Sequence, residues 1–186
     1  MSEKKGAIIL IGIIATAALG FSGYMFFRNE ILATSPESGL TLVGLWDEFT
    51  VNKEFVPDTS DGFWRIEFND NLFNNSNHIS VGDNNTSFKL LKEGFYKITI
   101  LVLLNGLDDS TEYWVYLMRN GSYDHCFDRV SIPGNPGSAF HQVESSLYVK
   151  STGLDNFYIR CYSFGDILFG ISSSQYFNQL SIEYNQ

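Results

Sequence analysis

Two hydrophobic patterns divide the chain. Residues 7 to 27 (AIILIGIIATAALGFSGYMFF) contain no charged side chain, whereas from Leu40 onward short runs alternate apolar and polar residues between clusters of Gly, Asn, Asp and Pro. The first pattern predicts a helix long enough to cross roughly 30 Å of hydrocarbon, at about 1.5 Å of rise per residue. The second predicts strands. Tyr96, Ile98, Ile100, Val102 and Leu104 share one strand face, while the other face passes from Lys97 and Thr99 to Leu101 and Leu103, so its second half should be covered on both sides. Residues 113 to 119 alternate likewise and end at Asn120-Gly121, a strong hairpin signal. Further strands are expected around Trp64 to Phe68, Phe88 to Leu90, Val143 to Lys150, Phe157 to Tyr162 and Leu180 to Tyr184. The stretch from 40 to 60 starts as a strand and turns irregular.

The predicted organisation is a tip at 1–6, a transmembrane or filament-core helix at 7–33, a tether at 34–39 and one β-domain at 40–186. Pro36 stops the helix from continuing through the tether. Lys4 and Lys5 precede the apolar run, and basic residues stay on the cytoplasmic side, so the domain is expected outside the cell membrane with the N-terminus inside. Two processing alternatives stay open: signal cleavage at Ala15-Thr16-Ala17, and a pilin-type cut after Lys5-Gly6. Gly12, Ala15, Ala17, Ala18, Gly20 and Gly23 would let such helices pack closely in a bilayer or in a fibre.

Beyond residue 29 there are nine basic and twenty acidic side chains, a net charge of about −11. Nucleic acid is therefore excluded as a partner, since replacing phosphate counterions needs a basic footprint. Binding of the domain along anionic lipid is disfavoured for the same reason.

With about eight strands and no amphipathic helix among them, the domain reads as all-β: two packed antiparallel sheets behind one N-terminal hydrophobic α-helix. Periodicity alone leaves jelly roll and immunoglobulin-like topologies open. No tryptophan lies between Cys126 and Cys161, so the immunoglobulin signature is missing.

Four segments carry a resemblance. Residues 88 to 100 (FKLLKEGFYKITI), with Gly94 and Tyr96 opening an alternating strand, resemble the strand entry of the jelly roll shared by tumour necrosis factor and the complement C-one-q globular head. Tyr116 to Gly121, ending in Asn-Gly, is similar to that superfamily's next hairpin. Residues 147 to 159, with Gly153 and Asp155 at the turn, resemble its strand, glycine-aspartate turn and next strand, and 176 to 182, with Tyr176 and Phe177, resemble its closing aromatic strand. Here Leu154 separates the glycine from the aspartate, and Gln179 stands where the family usually has glycine. The likeness spans Asn85 to Gln186 and leaves 40 to 84 uncovered. It implies a jelly-roll sandwich that is extracellular, non-enzymatic and self-associating, typically a trimer packed through aromatic and apolar strand faces.

Trp114, Tyr116, Tyr158, Tyr162, Tyr176 and Tyr184 exceed what one core of this size must bury, which makes them candidate oligomer contacts. The alternative places them in the core, with the 40–84 segment covering both sheets. Reactive groups are densest at Tyr123 to Asp128, but on a strand His125 and Cys126 point to opposite faces and cannot share a metal or a proton. His78 and His141 look isolated in polar loops. No phosphate loop or nucleophile elbow is present, so no catalytic residue, cofactor or metal is assigned. Cys126 and Cys161 are a disulfide candidate in an oxidising compartment, with two reduced thiols as the alternative. Acidic, amide-rich stretches at 58–62, 70–77 and 83–85 hold oxygens that calcium could use, yet none has EF-hand spacing and turns explain them more simply. Asn74, Asn84, Asn85 and Asn120 fit the N-glycosylation pattern.

Three functional readings follow. The first is a membrane-anchored surface head that self-associates and contacts other surface proteins or glycans, in adhesion, recognition or surface assembly. The second is the subunit of an extracellular filament or pilus, joined through its N-terminal helix or strand. The third is an accessory subunit of a membrane enzyme, for which the sequence offers no cleft of titrating groups.

Overall fold

The computed structural model describes residues 39–52, 62–134, 139–166, 168–172 and 174–185. The predicted helix, with its six small packing residues, and the tether up to Ser38 lie outside these residues. The described strands are β1 (Leu40–Asn52), β2 (Gly62–Asn74), β3 (Ile79–Gly82), β4 (Ser87–Leu90), β5 (Glu93–Leu107), β6 (Glu112–Arg119), β7 (Ser122–Ser131), β8 (Ala139–Thr152), β9 (Asn156–Ser163), β10 (Gly170–Ile171) and β11 (Gln179–Asn185). A 3-10 turn at Gln175–Phe177 precedes β11.

All pairings are antiparallel, and they build two layers. The first runs β1, β11, β5, β8, with β10 pairing β5 beyond the end of β11. The second runs β7, β6, β9, with β2 and β4 sharing the far edge of β9 and β3 added on β4. Strand β2 belongs to both. Its first residues pair with β9, and from Arg65 onward it pairs with β1, so one continuous ladder folds over on itself. A ladder that folds back buries one face of every strand and leaves few raw edges.

Alternation sets the two faces. In β5 the residues Tyr96, Ile98, Ile100 and Val102 are 0 % exposed, and across the sandwich Val115, Leu117, Phe157 and Ile159 meet them in one core. Each fully buried aliphatic side chain contributes about 1.5–3 kcal/mol through removal from water. Aromatic rings fill the end near β2: Phe49 and Phe68 meet edge to face at 5.5 Å, and Phe88 stacks on Phe157 at 5.8 Å.

Two turn positions require their glycines. Asn120 (φ 50°) and Gly121 (φ 85°) form the left-handed pair that turns β6 into β7, as the Asn-Gly signal predicted. At Gly94 (φ 150°) a Cβ would stand 2.7 Å from the Tyr184 ring, so the β5 entry has room only for hydrogen.

Residues 40 to 52 form the strand expected at the start of the 40–60 stretch, with register shifts along it, and the part expected to turn irregular lies mostly outside the described residues. Two expectations change. Strand β7, expected only conditionally, is formed through Ser131. The described residues of the segment after residue 40 supply β1, β2 and β3 to the layers themselves rather than a cover over their outer faces.

Candidate functional site: the outward face of the second sheet

Strands β6 and β9 lie side by side with Trp114 opposite Tyr162, Tyr116 opposite Arg160 and Met118 opposite Tyr158. Because Val115, Leu117, Ile159 and Cys161 take the core side, these six residues stand on the outer side of the same strands. Trp114 and Tyr162 meet at 5.2 Å with a 40° tilt, and Tyr116 meets Tyr123 of β7 at 4.8 Å. Met118 is 1 % exposed even though it faces away from the core. A second, smaller apolar layer therefore lies on the outside of this sheet.

Arginines lace that layer. Arg65 of β2 sits over the Tyr158 ring at 3.8 Å, and Arg160 over Phe63 at 3.9 Å, with Tyr123 and Tyr162 each at 5.5 Å. Arg129 lies over Trp114 at 5.5 Å and reaches both Glu112 carboxylate oxygens at 2.9 Å. Arg119 stands apart from that layer, on the core-side register of β6: it lies over the buried Phe157 ring at 5.0 Å and donates to Asp124 at 3.2 Å. These are all four arginines among the described residues. Guanidinium stacks on a ring through its flat, weakly hydrated faces and keeps its N–H fork at the edge.

The six candidate rings separate into three groups. Trp114, Tyr116, Tyr158 and Tyr162 come together here, half-buried. Tyr176 is 62 % exposed on the 3-10 turn beside the first sheet. Tyr184 packs between Tyr96 at 4.9 Å and His78 at 5.0 Å and donates to the Glu93 carbonyl at 3.1 Å, so it closes the core edge.

The reactive groups do not converge. His125 contacts its neighbour Asp124 at 2.7 Å, and His141, expected in a loop, is on β8 and reaches Asp128 at 2.7 Å. His78 lies in the turn before β3, where burial and then Lys92 hold its pKa below the ordinary value. The Cys126 thiol donates to the Asp128 carbonyl at 3.1 Å, and burial pushes its pKa up, which is the reverse of an activated nucleophile. No group of three or more His, Cys, Asp or Glu is placed to hold a metal among the described residues. Asp83, in one of the acidic turns, instead stands 3.7 Å from Arg65.

The expected disulfide does not form, and both thiols are free. Cys161 pairs with Val115 on one edge of β6, while Cys126 pairs with Tyr116 on the other, so two strand spacings, roughly 9.5 Å, separate them. Cys161 also faces the core and Cys126 the outside. A bridge needs Cα atoms within about 7 Å. Burial raises the Cys161 thiol pKa well above normal.

Asn74, Asn84, Asn85 and Asn120 are all exposed. At Asn120, however, both ends of the amide are in use: Nδ2 donates to Asp155 at 3.1 Å and Oδ1 accepts from the Asn156 amide at 2.9 Å. That clamp fixes the β6–β7 turn to the start of β9. Asp155 in turn accepts from the Thr152 amide at 2.7 Å, from the Thr152 hydroxyl at 2.9 Å and from Ser151 at 3.3 Å. The Thr152 amide is the main reason its carboxyl is held below the usual range; burial opposes it, and the three side-chain donors help. The arginine layer was missed in the sequence because nothing in one strand's alternation shows which neighbours align across four strands.

No protein-family model matches the sequence, and no curated protein sequence matches it. Solved structures do match in shape. The crystal structure of murine APRIL at pH 8.0, a member of the tumour necrosis factor superfamily, superposes with a TM-score of 0.55 at 12% identity, over 77% of this chain and 98% of that one. The pH 8.5 structure of the same protein gives a TM-score of 0.50 at 12% identity, over 76% and 98%. Likeness at this identity concerns the path of the backbone: the described domain has the tumour-necrosis-factor-like jelly-roll fold.

Proposed function

We propose that this chain is a non-enzymatic surface protein whose jelly-roll head, anchored by residues 7–33, self-associates through the outward face of β1, β11, β5 and β8. The observation that carries this reading is a pair of exposed rings on the two longest strands. Phe95 is 53 % and Tyr148 is 62 % exposed. They stand diagonally across the β5–β8 pair, since Phe95 is opposite Lys150 and Lys97 is opposite Tyr148. Lys150 beside them stays exposed, while further along the face the side chains are small or paired. Thr99 and Ser146 share a hydrogen bond at 2.7 Å, Ser181 lies opposite Thr99, and Lys97 is paired with Glu183 at 3.2 Å.

Such a face suits contact with a copy of itself. Around a rotation axis the same strands of each copy meet, so a face of mixed charge with small residues at Thr99, Ser146 and Ser181 lets backbones approach without strong repulsion. The resemblance to a superfamily of trimers supports the same reading. The second sheet is less suited, because its own copy would bring arginine against arginine.

Sedimentation velocity of the intact chain in detergent tests it. The wild type should sediment as an oligomer, and Tyr148→Asp should shift it to monomer with the β-sheet circular dichroism unchanged. A wild type that remains monomeric at every concentration, or a Tyr148→Asp variant that associates normally, removes this face from the proposal.

A further inference from the structure

Arg160 occupies the centre of the second sheet's outer side without an acid. It makes no hydrogen bond or ion pair with any described residue, and its Nε is buried with no acceptor. A buried guanidinium N–H left unmatched costs free energy comparable to a lost charged hydrogen bond. Its cross-strand neighbour makes the position less favourable still. Arg65 stands directly opposite on β2, and like charges in register across an antiparallel pair repel. Asp83, at 3.7 Å from Arg65, answers one of the two cations.

We propose that the outward face of β2, β9, β6 and β7 docks an acidic polypeptide, with Arg160 as the anchor for an aspartate or glutamate side chain. Charge complementarity decides the class of occupant. The domain is acidic as a whole, yet this face holds three of the four described arginines; Glu112 answers Arg129 and Asp83 answers Arg65, while nothing among the described residues answers Arg160, so a carboxylate side chain is attracted there. Tyr, Trp and Arg are also the residues that dominate protein–protein contact energies when partly desolvated.

Geometry favours a polypeptide over a saccharide. A sugar ring binds by lying flat on an aromatic face, and here guanidinium groups already cover Phe63 and Tyr158 at under 4 Å. Trp114 and Tyr162, tilted by 40°, form no common platform. What remains available is N–H donors at the ring edges, matched in geometry to carboxylate. A second copy presenting the same face is opposed by its own arginines.

The test uses the intact chain in detergent and a fluorescein-labelled peptide of alternating glutamate and leucine, read by fluorescence anisotropy. Its alternating glutamine and leucine counterpart and oligogalacturonate, a carboxylate-bearing saccharide, are the comparisons. Expected are saturable binding of the glutamate peptide that weakens as salt rises, a loss of at least about tenfold with Arg160→Gln, and a smaller loss with Arg160→Lys, which keeps the charge but not the fork. Should Arg160→Gln melt early, Arg65→Gln is read the same way. The proposal is overturned by any one of four results: no binding; equal binding to wild type and Arg160→Gln; tighter binding of oligogalacturonate; or a sedimentation shift of Arg160→Gln to monomer, which assigns the face to a second copy.

Discussion

The two sheets share one core and present different surfaces to the outside. On the first, charge is settled locally by Lys97 with Glu183, hydroxyls bond to each other, and the exposed rings Phe95 and Tyr148 stand apart. On the second, rings touch in a continuous layer and three of the four described arginines lie on them. An exposed ring with no partner is surface that another molecule can cover at little cost. A ring already under a guanidinium is pre-organised, and what it offers outward is positive charge. The contrast assigns association to the first face and selective recognition to the second.

The comparison breaks most sharply at the two tryptophans of the second sheet. Trp64, 1 % exposed, meets Phe169 at 5.2 Å on the core side, whereas Trp114 lies half-buried on the outer side. Chemical denaturation should show a loss of about 3–5 kcal/mol for Trp64→Ala and under about 1 kcal/mol for Trp114→Ala. Equal losses would make the outer layer a second core and remove the distinction between faces.

Asp155 tests how the layers are held together, since it ties the end of β8 in one sheet to the β6–β7 turn of the other. Asp155→Ala leaves those donors unmatched and should cost about 2–3 kcal/mol by the same measurement. The pH dependence has a definite sign. A carboxyl held below its unfolded pKa stabilises the fold fully above that unfolded value and loses this contribution as pH falls through the folded value. Wild-type melting should therefore fall below about pH 4, and Asp155→Asn should flatten part of that slope. An unchanged slope would show that the clamp carries no charge.

Much of the fold was legible in the sequence. The alternation in β5, β6, β8, β9 and β11 marked both strands and core faces, because one side of each is fully buried and period two then leaves little choice of register. Asn120-Gly121 fixed its hairpin for the same local reason. Strand β1 was legible only as a start whose pairing shifts several times, and β7 was obscured by a polar composition suited to the last strand of its sheet, where one edge is unpaired. The site was legible as a set of rings and illegible as a surface. Trp114, Tyr116, Tyr158 and Tyr162 stood out by type, but their union with Arg129 and Arg160 depends on how β7, β6 and β9 align, and with Arg65 on β2 crossing between layers, which no local pattern encodes.

The most direct test of the division between faces is disulfide trapping between copies of the intact chain under mild oxidation, read on a non-reducing gel. Cys126 is exposed on the second sheet and serves as its native probe, and Ser146→Cys places a thiol on the first. Wild type should stay uncrosslinked, and Ser146→Cys should yield covalent dimers. Dimers of wild type through Cys126, with none gained by Ser146→Cys, would contradict that division.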